Sequence, residues 1–191
     1  MKTKLLLLII ILVSINVNSQ VSSKKITDGK GYSKNESLFK AKRFLISNII
    51  EVTEEPIEFY IDPLAAASSG ELTSLIYKCE GQNKEGLLLG FYGNYWNNEG
   101  VKFKGYAFKN LNKEQATAFF KKIDDSIKNH KKFLYETKDK NNISFKYDDM
   151  TIMVWGDFQS INLRVFWGNF DSSWEKTSYD RTKKRFKKKI D

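Results

Sequence analysis

The sequence predicts an α+β domain, with an antiparallel sheet of about six to seven strands and helices packed mainly on one face. Two observations lead to this prediction. Apolar and polar residues alternate in several short runs separated by Gly, Asn and Asp, which is typical of half-buried strands joined by tight turns. Two longer segments repeat apolar residues at helical spacing, so helices are expected to cover one face of the sheet.

The N-terminal residues have the features of a secretory signal peptide. Two lysines precede an apolar run over 5–13, and Ser19 suits a cleavage site. The run is shorter than the roughly 20 residues needed to span a bilayer. We therefore expect 1–19 to be a signal peptide, and the mature chain to be an exported bacterial protein, periplasmic or extracellular, that begins at Gln20.

The rest of the chain divides into three parts. Residues 20–32 are polar and lack periodicity, which indicates a mobile leader. Residues 33–180 are long enough for a single α+β domain with its own core, and 181–191 form a basic C-terminal tail. Cys79 is the only cysteine, so the domain holds no internal disulfide, and its alternation with neighbouring apolar residues predicts a buried side chain.

Three helices are predicted from their apolar stripes and start signals. The first covers about 34–52 and follows a capping box that starts at Ser33. The second starts at Asn112 and carries an apolar face as far as Leu134. The third covers about 174–187.

The predicted strands are short, and turn residues separate most of them. A small, flexible link is expected at 64–70, because these residues are Leu, Ala, Ser and Gly. The strands cover 57–61, 72–80, 87–95, 101–108, 143–147, 150–155 and 161–167.

One pattern recurs at 91–95, 154–158 and 166–170: apolar, aromatic, Gly, Asn or Asp, aromatic. Gly adopts positive φ and Asn and Asp tolerate it, so each copy indicates a strand end or a bulge. In one interpretation the aromatic side chains fill the core. In the other, the three strand ends meet at one rim of the sheet and form an aromatic platform for a sugar-like or apolar ligand. The residues of that platform are Asn94, Tyr95, Trp96, Asp157, Phe158, Asn169, Phe170 and Trp174.

The sequence shows none of the usual catalytic motifs. His130 is the only histidine and lies on the apolar stripe of its helix, so we expect a half-buried structural residue. The acidic doublets, such as Asp148 and Asp149, are expected to be solvated, because adjacent side chains point apart. We expect no metal site and no cofactor.

The C-terminal tail has the strongest charge feature, with seven basic residues in the nine positions from 181 to 189. Such a run attracts anionic surfaces such as acidic polysaccharides or membranes, or else it is a solvated end with no partner. Sequence-specific nucleic-acid binding has no support, and truncation after Tyr179 is expected to leave the fold intact. The basic residues are Arg181, Lys183, Lys184, Arg185, Lys187, Lys188 and Lys189.

These features favour a non-catalytic binding or interaction domain whose ligand is a glycan, a small apolar molecule or a protein. The alternative is a small exported hydrolase whose carboxylates are brought together by the fold. An aromatic-lined cleft with two acidic side chains about 5–10 Å apart would favour the hydrolase. A shallow aromatic patch or an exposed sheet edge would favour the interaction domain.

Overall fold

A computed structural model of the protein describes residues 27–28, 34–96, 99–137, 140–157 and 160–190. The side chains of 27–28, 34–36, 95 and 96 are not part of that description. The predicted signal peptide 1–19, its cleavage site, most of the leader and the capping residue Ser33 lie outside the described residues.

The described part of the chain contains nine strands and four helices, with a single 3₁₀ turn at Glu80–Gln82. The helices are α1 (Lys34–Asn48), α2 (Lys113–Asn129), α3 (Lys131–Glu136) and α4 (Lys176–Ile190). The strands are β1 (Thr27–Asp28), β2 (Tyr60–Ala66), β3 (Leu72–Cys79), β4 (Lys84–Trp96), β5 (Lys102–Asn112), β6 (Asn142–Tyr147), β7 (Met150–Asp157), β8 (Ser160–Trp167) and β9 (Phe170–Glu175).

The strands form two antiparallel sheets, so the prediction of one sheet with six to seven strands was wrong. The first sheet has the order β1-β5-β4-β3-β2, in which β1 adds only two residues, and the second has the order β6-β7-β8-β9. Alternation identifies a strand but not its pairing partner, which is why the sequence did not separate the sheets. After β5 the chain passes through α2 and α3, and the next four strands pair with one another through short turns.

The larger hydrophobic core lies between the two sheets and includes residues of α2, α3 and α4. On β4, Leu87, Leu89 and Phe91 face this core, whereas Leu88 faces the opposite side of the first sheet. The second sheet contributes one face, with alternate residues such as Ile152 fully buried. Burying each such side chain stabilises the fold by about 1.5–3 kcal/mol.

The opposite face of the first sheet packs against α1 and forms a second, smaller core. The rings of Phe44 on α1 and Phe108 on β5 lie 5.4 Å apart, between their centroids. Cys79 belongs to this core and is fully buried, which confirms its prediction as a buried residue. Helices therefore cover both faces of the first sheet, whereas the sequence placed them mainly on one face.

Helix α2 begins at the capping box that its sequence predicts. The Asn112 side chain accepts from the Gln115 backbone N–H at 2.8 Å, and the Gln115 side chain accepts from the Asn112 N–H at 2.9 Å. The helix stops at Asn129, and α3 continues from Lys131. A Cβ atom on Gly156 would lie 2.0 Å from the Leu134 carbonyl oxygen, so only glycine lets α3 pack this closely on β7.

The C-terminal helix begins later than predicted, and it packs against the larger core. Strand β9 extends the second sheet through Glu175, so α4 starts at Lys176 rather than near 174. Phe186 and Ile190, well inside the predicted tail, are 2% and 6% exposed and belong to the larger core. The basic residues therefore lie on a helix whose opposite side supports the fold.

Strand β2 also differs from its predicted bounds. It starts at Tyr60 and continues to Ala66, through residues that the sequence assigned to a flexible link. The register with β3 shifts between Pro63 and Ala65, and β2 is an edge strand. An edge position accommodates Pro63, because proline has no N–H to donate to a second neighbour.

Candidate functional site

The structure does not gather the eight residues of the predicted aromatic platform. In the antiparallel pair β7–β8, Asp157 is opposite Ser160, whereas Trp167 is opposite Phe170 at the far end of β8. The second and third copies of the recurring pattern therefore end at opposite ends of the second sheet. Phe170 and Trp174 are 3% and 1% exposed, so neither ring is available to a ligand.

The remaining platform residues are also dispersed. Asn94 and Asn169 are exposed, on β4 and in the turn between β8 and β9. Asp157 is partly buried at the β7–β8 turn. Phe158 and the side chains of Tyr95 and Trp96 lie outside the described residues.

Two copies of the pattern meet inside the core instead. The Phe91 ring centroid lies 5.0 Å from that of Trp167 and 6.0 Å from that of Phe170. Trp167 and Phe170 stack on each other at 6.4 Å. These rings join the first sheet to the second, which corresponds to the core-filling interpretation for these two copies.

The second copy presents one aromatic side chain on the open face of the second sheet. Along β7 the buried positions alternate with half-buried ones, and Met153 and Trp155 are half-buried. On β8 the half-buried set includes Phe166. None of these three side chains belongs to either hydrophobic cluster, although each is large and apolar. We call this surface the outer face: Thr151, Met153, Trp155, Asn162, Arg164 and Phe166.

Polar side chains surround the aromatic residues of the outer face. The register places Trp155 directly between Asn142 on β6 and Asn162 on β8. Arg164 is opposite Met153 and forms an ion pair with Asp171 of β9. The Cβ atoms of directly opposite residues lie about 4.5–5.5 Å apart, so the two asparagines are the immediate cross-strand neighbours of Trp155.

A cluster of charged side chains joins the two sheets through a buried lysine, Lys109, which was not among the predicted site residues. Lys109 on β5 is 1% exposed, and its ammonium group contacts Asp148 and lies 2.7 Å from Asp149. The Trp167 indole donates to the other Asp149 oxygen at 2.9 Å. The sequence feature that indicates its burial is its spacing, because Lys109 lies at alternate positions with Ala107 and Leu111, which are buried.

This cluster holds the Asp149 carboxylate in the ionised form. Partial burial raises the pKa of the Asp149 carboxyl, but hydrogen bonds from Lys109 and Trp167 and the lysine charge outweigh that effect, so the pKa is below its ordinary value. A carboxylate held in this way is a poor general acid at neutral pH. The doublet was expected to be solvated, and both side chains are indeed partly exposed, but they converge on one ammonium group.

The seven basic residues of α4 fall into two groups. Lys183 pairs with Asp124 at 2.8 Å, Lys189 pairs with Asp62 at 2.9 Å, and Arg185 donates to the Leu64 carbonyl at 2.5 Å. The other four are exposed, and no partner for them is found among the described residues: Arg181, Lys184, Lys187 and Lys188.

His130 differs from its prediction. It separates α2 from α3 and is exposed, with its Nδ1 2.9 Å from the Ser126 carbonyl oxygen. The helical stripe placed it on the apolar face, but the helix ends one residue earlier and the side chain turns to solvent. No described acidic side chain is paired with it.

Comparison with known proteins gives no further guidance to the function. No protein-family model, curated protein or solved structure matches this chain. Among the described residues, no group of three or more His, Cys, Asp or Glu side chains is placed to hold a metal ion. No helix in the described ranges is both long and apolar enough to cross a membrane.

Proposed function

We propose that the protein is an exported, non-catalytic binding domain and that it binds a polysaccharide chain on the outer face of its second sheet. The observation that carries the proposal is the position of Trp155. It is a large aromatic residue on a sheet face that neither core cluster uses, between two asparagine side chains.

The chemistry of the outer face suits a sugar chain. Aromatic rings offer an apolar surface to the C–H faces of sugar rings, while neighbouring amides offer hydrogen bonds to hydroxyl groups. Trp155 and Phe166 lie four residue pairs apart along the β7–β8 ladder, which separates them by roughly 14 Å. A surface of this length suits an extended chain better than a compact ligand.

The hydrolase alternative has less support from the described side chains. The carboxylates of Asp148 and Asp149 are brought together by the fold, but both contact the Lys109 ammonium group. A general acid must hold a proton near neutral pH, whereas the pKa of Asp149 is lowered. Binding without chemistry therefore explains the described surface more simply.

Affinity electrophoresis through gels that contain soluble β-glucan, xylan or mannan tests the proposal. We expect the mature protein to be retarded by at least one of these polysaccharides, and Trp155→Ala to migrate without retardation. Phe133→Ala is the matched control, because Phe133 is an exposed aromatic residue on α3, 44% exposed and away from the outer face. Equal retardation of Trp155→Ala and the wild type would contradict the proposal.

The exposed cations of α4 form a second surface, which suits electrostatic contact with an anionic polymer or membrane. The four exposed cations of α4 recur at spacings of three, three and one, which places them along one side of the helix. Charge attraction of this kind is screened beyond about 8 Å at physiological salt, so any such contact weakens as salt rises.

A further inference from the structure

A polar pocket lies at one end of the first sheet, separate from the outer face. It has a volume of about 610 Å³ and is bounded by the end of α1, the start of β4, the end of β5 and the start of α2. Its lining is rich in amides and includes Asn48, Tyr77, Asn83, Asn110, Asn112 and Gln115.

The pocket contains a buried hydrogen-bond acceptor with no protein partner. Asn110 is 7% exposed, and its Oδ1 makes no hydrogen bond with any described group. Its amide group hydrogen-bonds instead to the hydroxyl of Tyr77, which is itself 2% exposed. Buried polar atoms are normally paired, so an unpaired carbonyl on a residue that lines a pocket points to a ligand.

Tyr77 supplies the complementary donor. Burial, offset in part by the Asn110 amide and reinforced by the charge of Glu85, raises the pKa of Tyr77 to about 12. The phenol is therefore protonated throughout the physiological range, and a hydroxyl that accepts from Asn110 still has its own hydrogen to donate. A Cβ on Gly86 would lie 2.9 Å from this hydroxyl, so the glycine leaves room for it.

The other polar groups at the pocket are mostly engaged with the protein. Asn112 and Gln115 cap α2, and the Asn48 amide donates to the Phe44 carbonyl at 2.8 Å. Lys113 and Glu85 form an ion pair at 2.9 Å. The lining thus offers a local acceptor and donor without a strong excess of either charge, which disfavours an ionic ligand.

We infer that this pocket binds a small neutral polyol or monosaccharide. A hydroxyl group both donates and accepts, so a single ligand hydroxyl can donate to Asn110 Oδ1 while it accepts from Tyr77. The inference does not depend on the outer face, because the two surfaces share no residue.

Thermal unfolding and calorimetric titration of the mature protein with glucose, galactose, mannose, N-acetylglucosamine and glycerol test this inference. We expect at least one of them to raise the melting temperature and to bind measurably. Asn110→Leu, of similar size, should weaken that binding by about tenfold or more, since it removes a hydrogen bond in a buried site. Tyr77→Phe should weaken it as well and provides a second test if Asn110→Leu does not fold.

The matched control is Thr137→Val. Thr137 Oγ1 is the other buried side-chain atom without a partner among the described residues, and it lies outside this pocket. This variant and Trp155→Ala should both keep the full response to the sugar. The inference is overturned if none of the five compounds binds, or if binding is unchanged in both Asn110→Leu and Tyr77→Phe.

Discussion

Lys109 and Asp149 join the two sheets of this protein through an ion pair between a buried ammonium group and a partly exposed carboxylate. The Lys109 Nζ lies 2.7 Å from Asp149 Oδ1, on a side chain that is 1% exposed. Lys109 belongs to β5 of the first sheet, and Asp149 lies in the turn between β6 and β7 of the second. Asp148 contacts the same nitrogen atom. The turn is therefore held against the first sheet by charge as well as by the aromatic core.

Substitution of the carboxylates and substitution of the lysine in this cluster should lower the free energy of unfolding by different amounts. Asp148→Asn with Asp149→Asn leaves a buried ammonium group without a counter-ion, and we expect a loss of about 3–5 kcal/mol in the free energy of unfolding. Lys109→Met leaves two carboxylates that water can hydrate, so the expected loss is no more than about 1–2 kcal/mol. Urea denaturation at pH 7 measures both, and a larger loss for Lys109→Met would refute this account.

Stability should fall with acidification partly through Asp149. Burial raises the pKa of the Asp149 carboxyl, but the contacts with Lys109 and Trp167 lower it by a larger amount. The pKa is therefore lower in the folded chain than in the unfolded chain. Such a group stabilises the fold above its unfolded pKa, about 3.9, and this stabilisation is lost as pH falls through the folded pKa. The difference in stability between wild type and Asp149→Asn should therefore shrink below about pH 4. A difference that stays constant from pH 7 to pH 3 would contradict the assignment.

Gly156 should tolerate no side chain. A Cβ there would meet the Leu134 carbonyl oxygen at 2.0 Å, and both atoms belong to the backbone. We expect Gly156→Ala to destabilise the protein by about 1–3 kcal/mol or more, because α3 must move away from β7. Gly81→Ala is the control, since nothing lies within 4 Å of the corresponding position. Similar melting temperatures for the two variants would show that α3 does not pack as described.

The four exposed cations of α4 should account for any binding to anionic surfaces. Changing Arg181, Lys184, Lys187 and Lys188 to Gln should lower the salt concentration that elutes the protein from heparin, without a loss of stability. A control with the same change in charge replaces exposed lysines elsewhere: Lys42, Lys102, Lys131 and Lys132. Equal elution of the two variants would show that only net charge matters.

Truncation after Tyr179 cannot serve as that control. It removes Phe186 and Ile190 from the larger core, where each contributes about 1.5–3 kcal/mol. Contrary to the expectation from sequence, the structure predicts that the truncated chain unfolds or is severely destabilised.

Local sequence signals predicted the local features of the fold. The capping box at Asn112 and the burial of Cys79 depend on neighbours in the chain, and both are confirmed. The division into two sheets depends on pairing between distant strands, which periodicity does not encode. The burial of Phe186 was not predicted, because lysines surround it in the sequence. Its spacing from Thr182 and Ile190 nevertheless fits one buried helical stripe.

The sequence did not predict the candidate sites, for a related reason. The recurring pattern drew attention to its aromatic residues, but adjacent antiparallel strands end at opposite ends of a sheet, so the copies on β7 and β8 cannot share one rim. Trp155 was within the pattern but was not among the predicted site residues. Asn110 and Lys109 are polar residues on a strand whose burial only the assembled layers reveal.

Nuclear magnetic resonance titration of the chain from residue 20 onward with the polysaccharide that retards it tests the central claim most directly. We expect the largest chemical-shift changes at the Trp155 indole N–H, the Asn162 side-chain amide and the backbone of β7 and β8 around them. The buried indoles of Trp167 and Trp174 serve as internal references and should shift little. Changes confined to other surfaces, with no change at Trp155, would contradict binding at the outer face.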